Sequence, residues 1–413
     1  MAANSKARGG APVSSRRYST SANADAISRI RDAGRRGNLT LYLGAGVSVG
    51  NGLPTWEQLV LAMYYTALSE QSMRGWRPYS NYLFAIAEWH LQQSHEPLEI
   101  IARKVRKYYP DQDGFLQELR RTLYEGVMIL EGGDYQDIGP KAMRTANSTL
   151  DSVVRLCEWQ YAHKHCVRSV ITYNYDALLE MSLTARHHES IFREAKLEAD
   201  RLPIYHVHGY VPVRGAGSAG SDLVFTEDQY HLTAQNPYLW SNLVQIQAMS
   251  GSVGLMIGLS LADRNMRRLL DAVQHAPIEA ENYALLQKPR WETPRDEVLD
   301  EIHRTAIRYF DRFEKSGVKL DARSRETVLR PGVKSSGPFE SEIGAGVKGP
   351  RYQFEIRGIL ENVRRFDEAE QNYVLEQLGV CPIWYDSHEE IPEIIGKLVG
   401  QGRRLANRTK RVS

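Results

Sequence analysis

Six strand-length apolar runs, with helical stretches between several of them, leave this chain few folds to adopt. Leu39–Leu43 reads as a buried strand that runs straight into glycines. The runs 167–173 (VRSVITY), 203–208 (PIYHVH), 253–259 (VGLMIGL), 283–286 (YALL) and 379–384 (GVCPIW) follow it. Short continuous apolar runs suit strands covered on both faces. Strands alternating with helices predict an α/β fold with a mostly parallel, doubly wound sheet. A helix is expected over 24–36, where Ile27, Ile30 and Ala33 recur at helical spacing. Residues 55 to about 165 read as almost wholly helical, since Trp56–Leu68, Tyr82–Leu91 and Leu98–Tyr108 carry helical periodicity and no strand-like alternation. A helical module is therefore expected to interrupt the α/β frame.

Composition narrows the class. The chain has 413 residues, 42% hydrophobic and 25% charged, which suits a globular protein with ample core. No apolar run approaches the ~20 residues of a membrane span. Cys157, Cys166 and Cys381 are too few for a disulfide framework and suit a reducing compartment, the cytoplasm. Residues 1–24 carry Lys6, Arg8, Arg16 and Arg17 without an acid, and 401–413 carry five basic residues without an acid, so 25–400 is net acidic. Basic ends on an acidic body suit nucleic acid or an acidic partner; the plainer reading is a disordered arm and a solvated tail. Gly215–Gly220 reads as a flexible loop, and the Gly-, Ser- and charge-rich stretch 317–350 as a long one.

Four constellations carry chemistry, each at an expected carboxyl end of a strand, where doubly wound sheets bind ligands. In 44-GAGVSVGNGLPTW-56, Gly44 and Gly46 would let backbone amides approach a diphosphate, although the spacing does not meet the strict dinucleotide fingerprint. A glycine turn needed only for its conformation is the plainer alternative. In 171-ITYNYD-176, Asn174 and Asp176 would face one way on an extended stretch, and a neutral amide suits orienting a ribose or a water; taken alone, the pair is better read as a strand-end turn or Asx cap. In 204-IYHVHG-209, His206 and His208 alternate onto one face, and His208 at the strand end could act as a general base. A metal reading would need more ligands, and Cys157, His163, His165 and Cys166 fit no zinc spacing. In 258-GLSLADRN-265, Gly258 and Ser260 begin a strand-to-helix turn, Ser260 could donate to a phosphate or ribose hydroxyl, and Asp263 is placed to cap the helix Arg264–Val273.

The joint order of these motifs resembles the sirtuin family. Gly44-Ala45-Gly46-Val47-Ser48 with Gly52-Leu53-Pro54 looks like its nucleotide loop, Asn174 and Asp176 like its Asn-x-Asp motif, His208-Gly209 like its His-Gly, and Gly258-Leu259-Ser260-Leu261 like its late Gly-x-Ser element. The stretch 383–398 looks like the last strand and helix of the bacterial sirtuin-like branch. The resemblance covers roughly half of the chain. It implies a Rossmann-like, mostly parallel sheet of sirtuin type with a large helical insertion. On this reading 25–54 and 166–400 form the NAD-binding catalytic domain, 55–165 the insertion, 1–24 a basic arm and 401–413 a basic tail. Two departures stand out. The two Cys-x-x-Cys pairs of the deacylases' zinc ribbon are missing, so no zinc is expected, and their Phe-Arg after the nucleotide loop is here Trp56-Glu57.

ITYNYDALLE is closer to the NAD-hydrolysing sirtuin-like proteins of bacterial antiviral defence. The resemblance then implies hydrolysis of NAD, as substrate, to nicotinamide and ADP-ribose. His208 would act on the ribose hydroxyls, Asn174 would position ribose or water, and Asp176 would orient the loop or a hydroxyl. Gly44, Ala45, Gly46, Ser48, Pro54, Gly258, Ser260 and Asp263 would make up the rest of the NAD site. It also implies a homo-oligomer, or gating by a partner such as an ATPase or translocase encoded nearby. The alternatives are an NAD or ADP-ribose sensor or structural subunit of a defence complex, and a deacylase or ADP-ribosyltransferase.

Overall fold

The computed structural model describes residues 20–400, apart from 73–84, 87–88, 91–95, 126–128, 132–133, 137–147, 184–185, 199, 216, 219–221, 278–279, 290–293 and 316–350. The arm 1–19, the tail 401–413, the loop 317–350 and most of the helix expected at Tyr82–Leu91 lie outside the described residues, as does part of Gly215–Gly220. Two compact units form: Pro289–Val374, and everything on either side of it. Residues 55–165 fall with the sheet in the larger unit.

The larger unit is built on a seven-stranded, wholly parallel sheet: β1 (Leu39–Leu43), β2 (Val167–Thr172), β3 (His188–Ile191), β4 (Leu202–His206), β5 (Val253–Ile257), β6 (Asn282–Gln287) and β7 (Val380–Tyr385), in the order β7-β6-β5-β1-β2-β4-β3. This is a Rossmann-like α/β sheet. The chain leaves β1 on one side and returns on the other, which makes the carboxyl end of β1 the switch point of the topology. Six of the strands match the apolar runs. The edge strand β3, His188-Glu189-Ser190-Ile191, has no apolar run to announce it, because only Ile191 is buried and the strand is held by pairing with β4.

Every residue of β1 is buried, and the pleat divides them. Leu39, Leu41 and Leu43 enter one core with helices α1 (Thr20–Arg35), α2 (Trp56–Ser72), α3 (Leu98–Tyr108), α4 (Gln112–Tyr124), α5 (Thr149–Glu158) and the chain's last helix, Ile391–Leu398. Tyr42 enters the other with Met249, Met266, Leu269, Leu270 and Val273. Thr40 joins neither; its hydroxyl bonds Ser169 of β2 at 2.9 Å and Ser252, just ahead of β5, at 2.8 Å, which satisfies all three buried groups. Helix α1 begins at Thr20, inside the stretch expected to be a disordered arm. The stretch 55–165 is not all helix: two antiparallel strand pairs interrupt it, Ile129–Glu131 with Asp134–Gln136 and Gln160–Tyr161 with Lys164–His165.

In the smaller unit, Asp296–Lys315 and Arg351–Gln377 are helical, tied by Gln353 to Asp300 at 2.8 Å and Arg357 to Asp296 at 2.7 Å. No described helix is long and apolar enough to cross a membrane.

Candidate functional site

The glycine loop leaves β1 as a 3-10 turn, Ala45–Val47. Gly44 N–H donates to the Ile257 carbonyl and Gly46 N–H to the Gly258 carbonyl, each at 3.0 Å. A Cβ on Gly44 would lie 2.5 Å from the Gly258 oxygen, one on Gly46 2.8 Å from the Gly258 Cα, and one on Gly258 2.6 Å from the Val47 nitrogen. The three glycines thus let two loops pack backbone against backbone. Of the two readings of Gly44 and Gly46, these contacts fit the glycine turn, with both amides bonded to the end of β5 and the residue after it. Gly258 also has φ +69°, a conformation open to glycine at little cost. Pro54 is buried ahead of α2.

Asn174 and Asp176 follow β2 and meet at Ser48. Asn174 Nδ2 donates to the Gly44 carbonyl at 3.0 Å and approaches Ser48 Oγ at 3.5 Å. A carbonyl only accepts, so the atom facing it is the NH2 group, which leaves Asn174 Oδ1 as the open acceptor among the described residues. Asp176 accepts from Ser48 Oγ at 3.0 Å and from the Leu178 N–H at 3.0 Å, which starts helix α6 (Leu178–Ser182). Burial pushes its carboxyl up to about 6; the Leu178 and Ser48 bonds oppose that shift, and nearby Glu180 adds to it. Tyr124 of α4 reaches this loop, donating to the Val211 carbonyl at 2.7 Å and accepting from the Ala177 N–H at 2.9 Å. A helix of the 55–165 stretch therefore buttresses the Asn-x-Asp turn.

His206 and His208 do not share surroundings, contrary to the alternation of the sequence. The strand ends at His206, and the turn that follows, closed by Gly209 at φ +102°, swings His208 away. A Cβ on Gly209 would sit 2.4 Å from Leu223. His206 turns inward: Nδ1 donates to the Asn174 carbonyl at 3.1 Å, and Nε2 meets Glu180 Oε1 at 2.6 Å. His208, only 5% exposed, is wedged edge-on against Tyr173 and Tyr230, with centroids 5.0 and 5.5 Å away. Among the described residues its Nε2 has no hydrogen-bond partner; it stands 3.6 Å from Asp263 Oδ2. Burial depresses the imidazole below its usual value, while the Asp263 charge opposes the shift. His208 is held neutral and able to accept a proton.

Asp263 caps α7 (Arg264–Gln274) through the Met266 N–H at 2.6 Å while its second oxygen faces His208. The sequence disclosed the cap but not the histidine. Ser260 is exposed on the same loop, its hydroxyl 3.4 Å from the Ala262 N–H. Glu180 was not singled out from the sequence. An acid four residues past Asp176, inside the apolar ALLEMS, was the one available signal. No group of three or more His, Cys, Asp or Glu among the described residues is arranged to hold a metal ion.

A model of the SIR2-like domain matches residues 168–310, a stretch that contains Asn174, Asp176, His208, Gly258, Ser260 and Asp263. No curated protein matches the chain. SIR2-like domains bind NAD, and the parallel sheet with its ligand-facing carboxyl ends accords with an NAD-utilising protein. Residues 168–310 of this chain are a SIR2-like domain.

Proposed function

We propose that this protein hydrolyses NAD to nicotinamide and ADP-ribose, with His208 as general base and Asn174 as the orienting amide. The observation that carries this reading is the bare, buried Nε2 of His208, backed by Asp263 at 3.6 Å. An unpaired buried nitrogen is costly, and it persists where the group has a proton to move. Water attacks the ribose C1′ as the C1′–nitrogen bond breaks; the bonding pair goes to the ring nitrogen, releasing neutral nicotinamide, and the water proton passes to His208. Asn174 Oδ1, an acceptor with no positive charge, suits a water or ribose hydroxyl beside an oxocarbenium-like transition state. Ala45, Ser48 and Ser260 border the strand ends where the diphosphate and adenosine ribose would lie.

We assign the activity to antiviral defence by depletion of NAD. A constitutively active NAD hydrolase would kill its own cell, so self-assembly or a partner encoded nearby would gate it. The test is nicotinamide release by the purified protein, alone and with the product of its genomic neighbour, with and without a zinc chelator. Release that survives chelation is expected. NAD binding with no release under either condition would favour the sensor reading.

A further inference from the structure

Asn174 is fixed from behind as well as in front. Its side chain is held by the Gly44 carbonyl, its N–H by Thr172 Oγ1 at 3.1 Å, and its own carbonyl by His206 Nδ1 at 3.1 Å. The last contact settles the chemistry of the histidine. A carbonyl only accepts, so His206 Nδ1 must carry a proton. Glu180 Oε1 is 2.6 Å from Nε2 and accepts from Ser190 Oγ at 3.2 Å. Burial raises the Glu180 carboxyl, but the His206 charge and hydrogen bond outweigh burial and bring it below its ordinary value. Both ring nitrogens of His206 are thus committed, Nδ1 to the Asn174 carbonyl and Nε2 to Glu180 Oε1. Tyr210 lies against the ring, with centroids 4.3 Å apart. A cavity of about 10 Å³, room for about one water, lies beside the pair and is bordered by Ser48, Asn174 and Asp176.

We infer that Glu180 and His206 are a positioning pair that holds Asn174 in its working orientation, an inference that rests on the hydrolase reading above. Unlike His208, the pair has its reactive atoms taken up by protein partners, the His206 nitrogens by the Asn174 carbonyl and Glu180, and Glu180 Oε1 by His206 and Ser190, so it acts on Asn174 and not on substrate. The pair acts through the Asn174 backbone, in a desolvated setting where a hydrogen bond is stronger than in water.

The test compares His206→Ala, His206→Asn, whose amide can still donate to the Asn174 carbonyl, and the double variant E180L/H206L, which leaves no unpaired charge and so folds even if the single alanine variant does not. Two readouts are taken: kcat and KM for NAD, and the Asn174 side-chain NH2 resonance, assigned by its loss in Asn174→Ala. In His206→Ala and the double variant, kcat should fall about 10²-fold, the cost of small misplacement, with KM within about threefold, and the Asn174 resonance should move toward the solvent-exposed position. His206→Asn should restore both in large part. A double variant with near wild-type kcat, a proportionate rise in KM, or an unmoved Asn174 resonance would overturn the inference. If the wild type releases no nicotinamide, the hydrolase reading fails by itself, and the resonance alone decides the positioning.

Discussion

Asn174 and His208 stand just past the carboxyl ends of neighbouring strands, β2 and β4, and the protein treats them in opposite ways. Asn174 is held by hydrogen bonds to its amide group, its N–H and its carbonyl. The His208 ring is held by the edges of Tyr173 and Tyr230, and its Nε2 is left bare. The first arrangement decides a side chain's place before any ligand arrives. The second leaves a buried group unsatisfied, at a cost of about 1–3 kcal/mol, and so keeps it available. One residue is built to hold still and the other to react.

The comparison breaks most visibly if His208 is dispensable. His208→Ala is expected to lower nicotinamide release about 10²–10⁴-fold, and Asn174→Ala about 10²-fold, with the far-UV spectrum unchanged. A near wild-type rate in either variant removes that residue from the site.

The next effect concerns the turn that fixes Asn174. Asp176 has a folded value of about 6 against an ordinary 3.8, so the folded chain holds the proton more tightly than the unfolded one. The resulting stability is complete below about pH 4 and is lost as pH rises through about 6. Asp176→Asn cannot titrate. Wild type should therefore gain stability relative to that variant between pH 7 and pH 4, by up to about 3 kcal/mol in denaturant unfolding. A difference independent of pH would mean that Asp176 is ionised throughout.

Gly258→Ala should cost about 1–3 kcal/mol, because its φ of +69° and the Val47 nitrogen 2.6 Å from the new Cβ both oppose a side chain. Denaturant midpoints check this, and an unchanged midpoint would show that the two loops separate easily. The smallest effect sharpens the His208 side. Asp263→Asn keeps the cap on α7 but removes the charge that supports protonation of His208, so the acid limb of kcat/KM should move to lower pH. A limb that stays in place would mean that His208 is not the titrating base.

Much of the fold was legible because its signals are local. Six of seven strands announce themselves as apolar runs, Leu98–Tyr108 coincides with the helix read from its periodicity, and Asp263 is a cap by position. The edge strand β3 was not legible, since an edge can be made of polar residues that the sheet recruits by pairing. The order of motifs along the chain likewise disclosed which residues gather at the strand ends.

What those residues do to one another was decided by the tertiary structure alone. The sequence put His206 and His208 on one face and gave Gly44 and Gly46 to a phosphate. Folding turned His206 inward to Glu180 and the Asn174 carbonyl, and spent the glycines on Gly258. Periodicity, capping and turn preference act over a few residues, and the chain carries them wherever it goes. A hydrogen bond from Asn174 to Gly44 spans 130 positions, and one from His206 to Glu180 spans 26. Such partners exist only once the register of β1, β2 and β4 has brought the strand ends together.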